Sequence, residues 1–336
     1  MNQPPKSFVL VQEDRLLSFA TACFEKVGLE AEHAAVVGRL LVNNDLRGVR
    51  SHGSRTVDMY CEGFERGAAN PRPEIKVLHE TPTSTVLDGD GTIGYMPMRR
   101  AAEAAISKAK EVGLGIGLVR HIDHYGSAGH YSRMCMEAGC IGFSSQGHRN
   151  MGNAAGREQK PQVGFFGNPP ISFAIPSGAE PPVVLDAATN ILSGYDNLEA
   201  AEREALLSKI PAAFFKSMGY TAVASLMGGA LTGFTLPETE ALIQRWPGAS
   251  FGGTVLAIDL NAVVPEAKFR AEVDRMVKDV RETYQPMPGY DRALLPGAVE
   301  EELFELHRRE GIRYGEPEQA DLRRVSERLG IPLPWE

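Results

Sequence analysis

The stretch between residues 114 and 145 constrains the fold more than any other part of this sequence. Residues 114–119 are apolar and glycine-rich and predict a β-strand, residues 127–137 predict a helix, and residues 140–145 predict a second strand. A strand, a helix and a strand in this order indicate a parallel crossover unit. The sequence therefore predicts an α/β protein.

Helical and strand patterns continue through the rest of the chain. Helices are predicted at residues 16–27, 31–44, 53–64, 98–112, 197–210, 218–234, 266–284, 298–311 and 316–329. Further strands are predicted at residues 85–88, 171–176, 182–186 and 253–260. Residues 146–162 are polar and irregular, which predicts a long surface loop.

Length and charge limit the classes of protein that this chain can represent. Its 336 residues exceed what one compact core usually holds, so two domains are expected. The net charge of -8 argues against nucleic acid as a partner. A small anionic substrate remains compatible with this charge, because three arginines give one segment a local positive excess: Arg47, Arg50 and Arg55.

The cysteines and the absence of long apolar runs indicate a cytoplasmic protein. The first residues lack the apolar centre of a signal peptide, and no run is long enough to cross a bilayer, so no membrane partner is expected. No cysteine spacing matches a zinc site, and the count is too low for a disulfide scaffold. Buried free thiols are expected at Cys23, Cys61, Cys135 and Cys140.

A polar run at residues 45–53 is the first candidate for chemistry. It brings the hydroxyl of Ser51 and the imidazole of His52 close to the guanidinium groups of Arg47 and Arg50. A histidine exchanges a proton near neutral pH, and an arginine binds a carboxylate through two hydrogen bonds. The run therefore suits proton transfer beside a bound anion, and an exposed, charged helix end is the alternative interpretation.

A second polar cluster follows the strand at residues 114–119. It contains His121, Asp123, His124 and His130, at the carboxyl end of a strand, where ligands bind in parallel sheets. These side chains could bind a metal, orient a substrate or move a proton, or serve only the structure. Alternation along a strand directs His121 and Asp123 to one face and His124 elsewhere, which weakens a shared metal site.

Two features near the predicted strands concern nucleotide binding. Gly113, Gly115 and Gly117 precede and enter a strand, whereas a dinucleotide fingerprint follows a strand and opens a helix, so close packing against another backbone is the expected role. Lys216 is placed just before the helix predicted at residues 218–234. A lysine there opposes the helix dipole, so a phosphate contact and an exposed side chain are both considered.

These segments together resemble the malate/L-lactate dehydrogenase family that is separate from the Rossmann-type lactate dehydrogenases. Residues 45–53 match its pattern Asp-Leu-x-Gly-x-x-Ser-His-Gly, and residues 124–129 resemble its His-Phe-Gly-Ala-Ala-Gly. Further similar segments follow in the family's order at residues 167–170, 185–189, 231–233, 256–259 and 295–297. The family includes sulfolactate, ureidoglycolate and diketogulonate oxidoreductases and a cyclic imine reductase.

The resemblance implies a family-specific, non-Rossmann α/β fold that binds NAD or NADP, with a second domain inserted into the first. Residues 1–120 and 264–336 would form the substrate and dimerisation domain, and residues 121–263 the cofactor domain. The implied reaction moves a hydride between NADH or NADPH and a small 2-oxo acid or cyclic imine carboxylate. The implied assembly is a homodimer.

The resemblance also implies roles for individual residues. His52 would be the acid/base that protonates the new hydroxyl, with Ser51 beside it, and His124 would hold or protonate the substrate. An arginine would hold the carboxylate, and the candidates are Arg55, Arg50 and Arg47. The residues implied along the cofactor are Lys216, Asp186, Ala187, Ala188, Gly167, Pro296 and Gly297.

The chain departs from the family pattern at several positions. Thr56 stands where the family has an arginine, and Arg55 lies one position earlier; Pro169 replaces an asparagine and Ser217 a glycine. Residues 195–210 replace a longer loop that borders the cofactor in the family. A second hypothesis is therefore a lyase or isomerase that transfers protons on a carboxylate substrate and has lost nicotinamide binding. A third is a binding or assembly subunit without catalysis.

Overall fold

A mixed β-sheet forms the centre of the protein, whose computed structural model describes residues 5–148, 167–192 and 198–336. The strands in these ranges are β1 (Val9–Val11), β2 (Lys76–Glu80), β3 (Ser84–Asp88), β4 (Leu114–Ile122), β5 (Cys140–His148), β6 (Pro170–Ile175), β7 (Val183–Ala188), β8 (Phe251–Asp259) and β9 (Ile312–Tyr314). The α-helices there are α1 (Glu13–Lys26), α2 (Ala31–Leu46), α3 (Val57–Glu65), α4 (Tyr95–Val112), α5 (Gly129–Glu137), α6 (Ala200–Lys209), α7 (Pro211–Gly228), α8 (Pro237–Arg245), α9 (Glu266–Thr283), α10 (Ala298–Glu310) and α11 (Glu316–Leu329).

The strand order differs from the simplest prediction for the sequence. In the described ranges, seven strands pair in the order β2-β3-β4-β8-β5-β6-β7, and β3 and β4 are the parallel pair. β4 and β5 run in the same direction, but β8 lies between them and is antiparallel to both. The predicted crossover of β4, α5 and β5 therefore joins two strands of the same direction, but β8, which comes from a distant part of the chain, lies between them.

Small residues allow α4 to pack directly on β4. A Cβ atom at Gly115 would lie 1.8 Å from the carbonyl oxygen of Ala105, and one at Gly117 would lie 2.1 Å from that of Ala101. These distances are far below van der Waals contact, so any side chain there would separate the helix from the sheet. The prediction that these glycines serve backbone packing is confirmed.

The first and last segments of the described chain close over one side of this core. β1 pairs with β9, so that Val9 lies opposite Tyr314. The side chains of Leu16 and Phe24 on α1 and Leu41 on α2 are completely buried. The four cysteines are free and buried, as predicted. Within the described ranges, no helix has the length and apolarity that crossing a bilayer requires.

Most predicted helices are present, with small shifts at their ends, but one correction affects the site. α7 begins at Pro211 and ends at Gly228, so Lys216 lies in its second turn and not before it. β1, β2, α8 and β9 were not predicted. The predicted loop at residues 146–162 lies mostly outside the described residues. The proposed domain boundary after residue 120 falls within β4, and the two-domain division stays a prediction.

Candidate functional site

The segment that carries His52 is held in place by a buried carboxyl group. The Oδ2 atom of Asp45 accepts the backbone N–H of Ser54 at 2.8 Å, and the hydroxyl of Ser54 pairs with the hydroxyl of Tyr314. Gly53 leaves the necessary space, because a Cβ atom there would lie 2.0 Å from Oδ1 of Asp45. Burial raises the pKa of Asp45 to about 7, against the hydrogen bonds that lower it.

Two side chains contact His52 directly. The hydroxyl of Ser51 lies 2.9 Å from Nδ1 of His52, and the amide of Asn44 donates to the His52 carbonyl oxygen at 2.8 Å. The same amide nitrogen lies 3.1 Å from Nε2 of His130. Because this nitrogen can only donate, Nε2 of His130 accepts, and the buried His130 supports the His52 segment from behind.

Tyr60 and the backbone fix the tautomer of His124. The Tyr60 hydroxyl lies 2.6 Å from Nδ1 of His124 and 3.2 Å from the hydroxyl of Tyr95. The backbone N–H of Gly126 also donates to this Nδ1, at 3.3 Å. A backbone N–H cannot accept, so Nδ1 is unprotonated and the proton of neutral His124 resides on Nε2.

His52 and His124 form a stacked pair with opposite roles in proton chemistry. Their ring centroids are 5.6 Å apart and their planes differ by 25°. Burial and, to a smaller extent, the nearby His52 lower the pKa of His124 to about 3, so His124 stays neutral. Burial also lowers the pKa of His52, but the Asp186 carboxylate acts to raise it. His52 is therefore the member of the pair that is suited to exchange a proton.

Asp186 links the sheet to the segment that follows His124. Its Oδ2 atom accepts the hydroxyl of Ser127 and the backbone N–H of Gly129 at 3.0 Å, at the beginning of α5. A carboxylate at a helix N-terminus is favoured by the unpaired N–H groups and by the dipole. Asp186 thus anchors β7 to α5 while its charge acts on His52.

Three cavities lie around these groups: the α3 cavity, the β7 cavity and the Pro296 cavity, each lined by the element or residue in its name. The α3 cavity has a volume of about 470 Å³, the β7 cavity about 640 Å³ and the Pro296 cavity about 440 Å³. The α3 and β7 cavities share Ser51, His52 and His124. The β7 and Pro296 cavities share Val49 and Asp186. The histidine pair therefore lines both the α3 cavity and the β7 cavity.

The structure brings most of the expected cofactor residues to these cavities. Ala187 and Ala188 line the β7 cavity beside Asp186, and Pro296 and Gly297 line the Pro296 cavity. The backbone of Gly167 packs against the His148 ring, and His148 also lines the β7 cavity. Lys216 is exposed on α7 and does not line these cavities in the described part of the chain.

Two of the three expected substrate arginines are engaged in other contacts. Arg47 forms an ion pair with Glu301 at 2.8 Å and lies 4.1 Å above the Phe304 ring. Arg55 forms an ion pair with Asp321 at 2.9 Å. These arginines and Arg50 do not line the three cavities within the described ranges. The roles first assigned to them remain predictions.

Several side chains in the cavities were not assigned a role from the sequence. They are Tyr60, Arg66, Arg133, Gln146 and His148. Tyr60 lies where the family pattern continues beyond Gly53, so that pattern was a usable signal. The others are isolated polar residues on α3, α5 and β5, and no local motif distinguishes them from ordinary surface or core positions.

The second polar cluster divides between structure and site. His121 is buried, with Nδ1 3.0 Å from Asp88 and Nε2 2.9 Å from the hydroxyl of Thr239. It adopts a positive φ of 59°, and the pairing of β4 with β8 is irregular there, so strict alternation fails. Asp123 accepts the N–H of His124 at 2.7 Å. Among the residues that the structure covers, no group of three or more His, Cys, Asp and Glu side chains is arranged to hold a metal.

Known proteins share both the sequence and the fold of this chain. The chain is 27% identical over 356 residues to the malate dehydrogenase of Pyrococcus horikoshii, with 97% of each covered. It is 27% identical over 332 residues to the L-sulfolactate dehydrogenase of Methanocaldococcus jannaschii, covering 92% of this chain and 94% of the relative. It is 25% identical over 294 residues to the ureidoglycolate dehydrogenase (NAD(+)) of Escherichia coli K12, covering 81% of this chain and 83% of the relative.

The structural comparison and the family model agree with these relatives. The solved structure of malate dehydrogenase from Pyrococcus horikoshii OT3 superposes with a TM-score of 0.82 at 25% identity, covering 98% of each chain. The sequence model of the family described as malate/L-lactate dehydrogenase matches residues 11–209 and 196–323. The expected α/β fold, with a sheet peculiar to this family, is confirmed. The chain belongs to the malate/L-lactate dehydrogenase family.

Proposed function

We propose that this protein is an oxidoreductase that transfers a hydride between a nicotinamide dinucleotide and a small 2-oxo acid or cyclic imine carboxylate. The observation that carries the proposal is the His52–His124 pair on the wall shared by the α3 and β7 cavities. Relatives named malate, L-sulfolactate and ureidoglycolate dehydrogenase support it. Reduction of a carbonyl requires a proton for its oxygen, and His52 can supply one where the two cavities share a wall.

The two histidines divide the work on the substrate. When bound, the nicotinamide supplies the hydride that reduces the carbonyl carbon. His52 donates a proton to the oxygen as negative charge develops there, and neutral His52 takes that proton back in the oxidation direction. His124 donates a hydrogen bond from Nε2 to the same oxygen without changing its own charge. Ser51 holds the His52 ring through its contact with Nδ1.

The β7 and Pro296 cavities fit a dinucleotide. Their linings share Val49 and Asp186, and their volumes lie in the range of ligand sites in proteins. Arg133 is buried against the Pro296 cavity, and its Nε atom has no hydrogen-bond partner among the described residues, with Glu301 3.6 Å away. A diphosphate would satisfy such a guanidinium. Asp186, Arg133 and the linings formed by Ala187, Ala188, Pro296 and Gly297 would hold the group.

The cofactor is NAD or NADP, and NAD is the first candidate. The ureidoglycolate dehydrogenase among the relatives is named for NAD(+). Gly167, which packs on His148, and Lys216, which is exposed on α7, are retained as predicted cofactor contacts. Lys216 would have to reach the cofactor from outside the β7 cavity.

The proposed assembly is a cytoplasmic homodimer that acts on small anions and not on nucleic acid. α7 supports a second copy, because it exposes an apolar face whose side chains are 50–76% accessible: Phe215, Tyr220, Val223 and Leu226. In this proposal, residues 1–120 and 264–336 form the substrate and dimerisation domain, and residues 121–263 form the cofactor domain. Light scattering on the purified protein measures the mass, and a monomer at all concentrations would contradict the dimer.

The test of function is a fluorescence titration with NADH and NADPH, followed by turnover with a panel of 2-oxo acids and cyclic imine carboxylates. We expect binding of one or both cofactors and cofactor-dependent turnover. His52→Asn should abolish turnover and keep cofactor affinity, whereas His79→Asn, at an exposed position on β2, should change neither. Binding of neither cofactor, with turnover of a hydroxy acid in their absence, would instead favour the lyase or isomerase hypothesis.

A further inference from the structure

We infer that Arg66 binds the substrate carboxylate and that the α3 cavity selects 2-oxo acids with a single negative charge. This inference rests on the proposed function and names the substrate class of that site. His52 and His124 line the α3 cavity together with Arg66, which directly follows α3. A substrate that spans it presents its carbonyl to the histidines and its carboxylate to Arg66.

The arginine nearest to the position of the family's arginine is committed elsewhere. The Nε atom of Arg55 donates to Oδ2 of Asp321, on α11, at 2.9 Å. The positive charge of Arg55 is therefore paired with the Asp321 carboxylate. Thr56, its neighbour, lines the α3 cavity and carries no charge. The side chain of Arg66 makes no hydrogen bond or ion pair within the described part of the chain, so its guanidinium is available to a carboxylate.

The charges around the α3 cavity disfavour a second anionic group on the substrate. Among its described lining residues, Arg66 is the one permanent positive charge, and Asp123 supplies a carboxylate. Burial raises the pKa of Asp123, while the N–H of His124 and the charge of Arg66 act to lower it. A dicarboxylate would have one carboxylate on Arg66 and bring the other towards Asp123, where like charges repel.

The remaining walls accept an apolar substituent. Met59 of α3, Ala69 and Ile93 line the cavity, and the half-exposed Met59 side chain is unbranched and adaptable. These side chains offer no partner for a second carboxylate. The cavity volume of about 470 Å³ leaves space beyond the carboxylate and carbonyl for such a substituent. The chemistry favours a 2-oxo monocarboxylate with an aliphatic side chain.

The first experiment measures binding of oxamate, an unreactive analogue of a 2-oxo acid, by calorimetry with and without NADH. We expect Arg66→Gln to weaken oxamate roughly 10- to 100-fold, which is the usual effect of losing a charge-assisted pair. Arg72→Gln, at an exposed position outside the cavities, is the matched control and should bind as the wild type does. Arg66→Lys should recover part of the affinity. Thermal unfolding of each variant verifies that it is folded.

The opposite results would overturn the assignment. They are wild-type affinity in Arg66→Gln, no oxamate binding by the wild type, or a loss confined to Arg55→Gln. Failure of the proposed function gives a different result: NADH and NADPH would not bind, yet oxamate would still depend on Arg66. The second experiment compares kcat/KM for 2-oxobutyrate and oxaloacetate. We expect at least a tenfold preference for 2-oxobutyrate, and a preference for oxaloacetate would refute selection of a single charge.

Discussion

Replacing Tyr60 by phenylalanine isolates the hydroxyl that controls the state of His124. In the structure this hydroxyl lies 2.6 Å from Nδ1 of His124 and 3.2 Å from the Tyr95 hydroxyl. The substitution removes one oxygen atom and keeps the ring that packs in the core, where Tyr60 is 5% exposed. Two consequences follow, one for stability and one for catalysis.

The magnitude of each consequence follows from the contacts that are lost. The buried Tyr95 hydroxyl loses its partner, and an unsatisfied buried hydroxyl costs about 1–3 kcal/mol of unfolding free energy. At His124, the N–H of Gly126 remains as a donor to Nδ1, at 3.3 Å, and still favours the proton on Nε2. Losing the stronger of the two donors weakens that preference by about 1 kcal/mol, which makes the ratio of the two tautomers roughly fivefold smaller and lowers kcat by at most that factor.

The assay combines nitrogen-15 NMR of the histidine rings with steady-state kinetics. In the wild type, Nδ1 of His124 should show the shift of an unprotonated ring nitrogen and Nε2 that of a protonated one. Tyr60→Phe should give a mixture of tautomers, a lower kcat and an unchanged Kd for NADH. The pH dependence of kcat should keep its midpoint, because the pKa of His124 is lowered to about 3, far below the pH of the assay.

A protonated Nδ1 on His124 in the wild type would refute this reasoning, because the Tyr60 hydroxyl would then be the acceptor. Wild-type kcat in Tyr60→Phe, with the tautomer unchanged, would show that the Gly126 N–H alone is sufficient. Tyr125→Phe is a useful comparison, since its hydroxyl contacts Ser144 at 3.3 Å and not a histidine. It should lower stability without altering the His124 resonances.

Three further predictions concern the groups around His52. Burial raises the pKa of Asp45 above its value in the unfolded chain, so ionisation of Asp45 opposes folding. The unfolding free energy of the wild type, relative to that of Asp45→Asn, should therefore fall by up to about 4 kcal/mol between pH 4 and pH 8 in urea unfolding. A difference between the two proteins that does not change with pH would contradict this. Gly53→Ala should lower the unfolding free energy by about 2–4 kcal/mol and reduce kcat, because its methyl group would overlap the Asp45 carboxylate; calorimetry and kinetics showing wild-type behaviour would refute the close contact. Asp186→Asn removes a charge that raises the pKa of His52, so the pH at which the rate of reduction declines should move lower. It also weakens the cap of α5, which should lower the unfolding free energy by about 1 kcal/mol. An unchanged pH–rate profile would show that Asp186 does not act on His52.

The sequence allowed the fold class and the two site histidines to be predicted because their signals are local. The residues that identify His52 all lie within residues 45–53, and those that identify His124 lie within residues 124–129. Both segments match motifs of the family in the family's order. Gly115 and Gly117 were interpreted correctly because a strand that begins among glycines needs close packing.

The parts that were missed depend on contacts between distant residues. The hydrogen bond from Tyr60 to His124 spans 64 residues, and the ion pair of Arg55 with Asp321 spans 266. No periodicity reveals that Arg55 is turned away from the α3 cavity while Arg66 faces it. The position of β8 between β4 and β5 likewise depends on pairing energies that a single strand pattern does not contain.

The central position of β8 has a consequence for the order in which the protein matures during synthesis. β4 and β5 are synthesised long before β8, and until Asp259 has left the ribosome each presents an unpaired edge towards the other. His124 follows β4 and His148 ends β5, so the reacting centre cannot be complete before this late strand inserts. A nascent or truncated chain that ends before β8 therefore exposes two strand edges that are open to pairing with other chains.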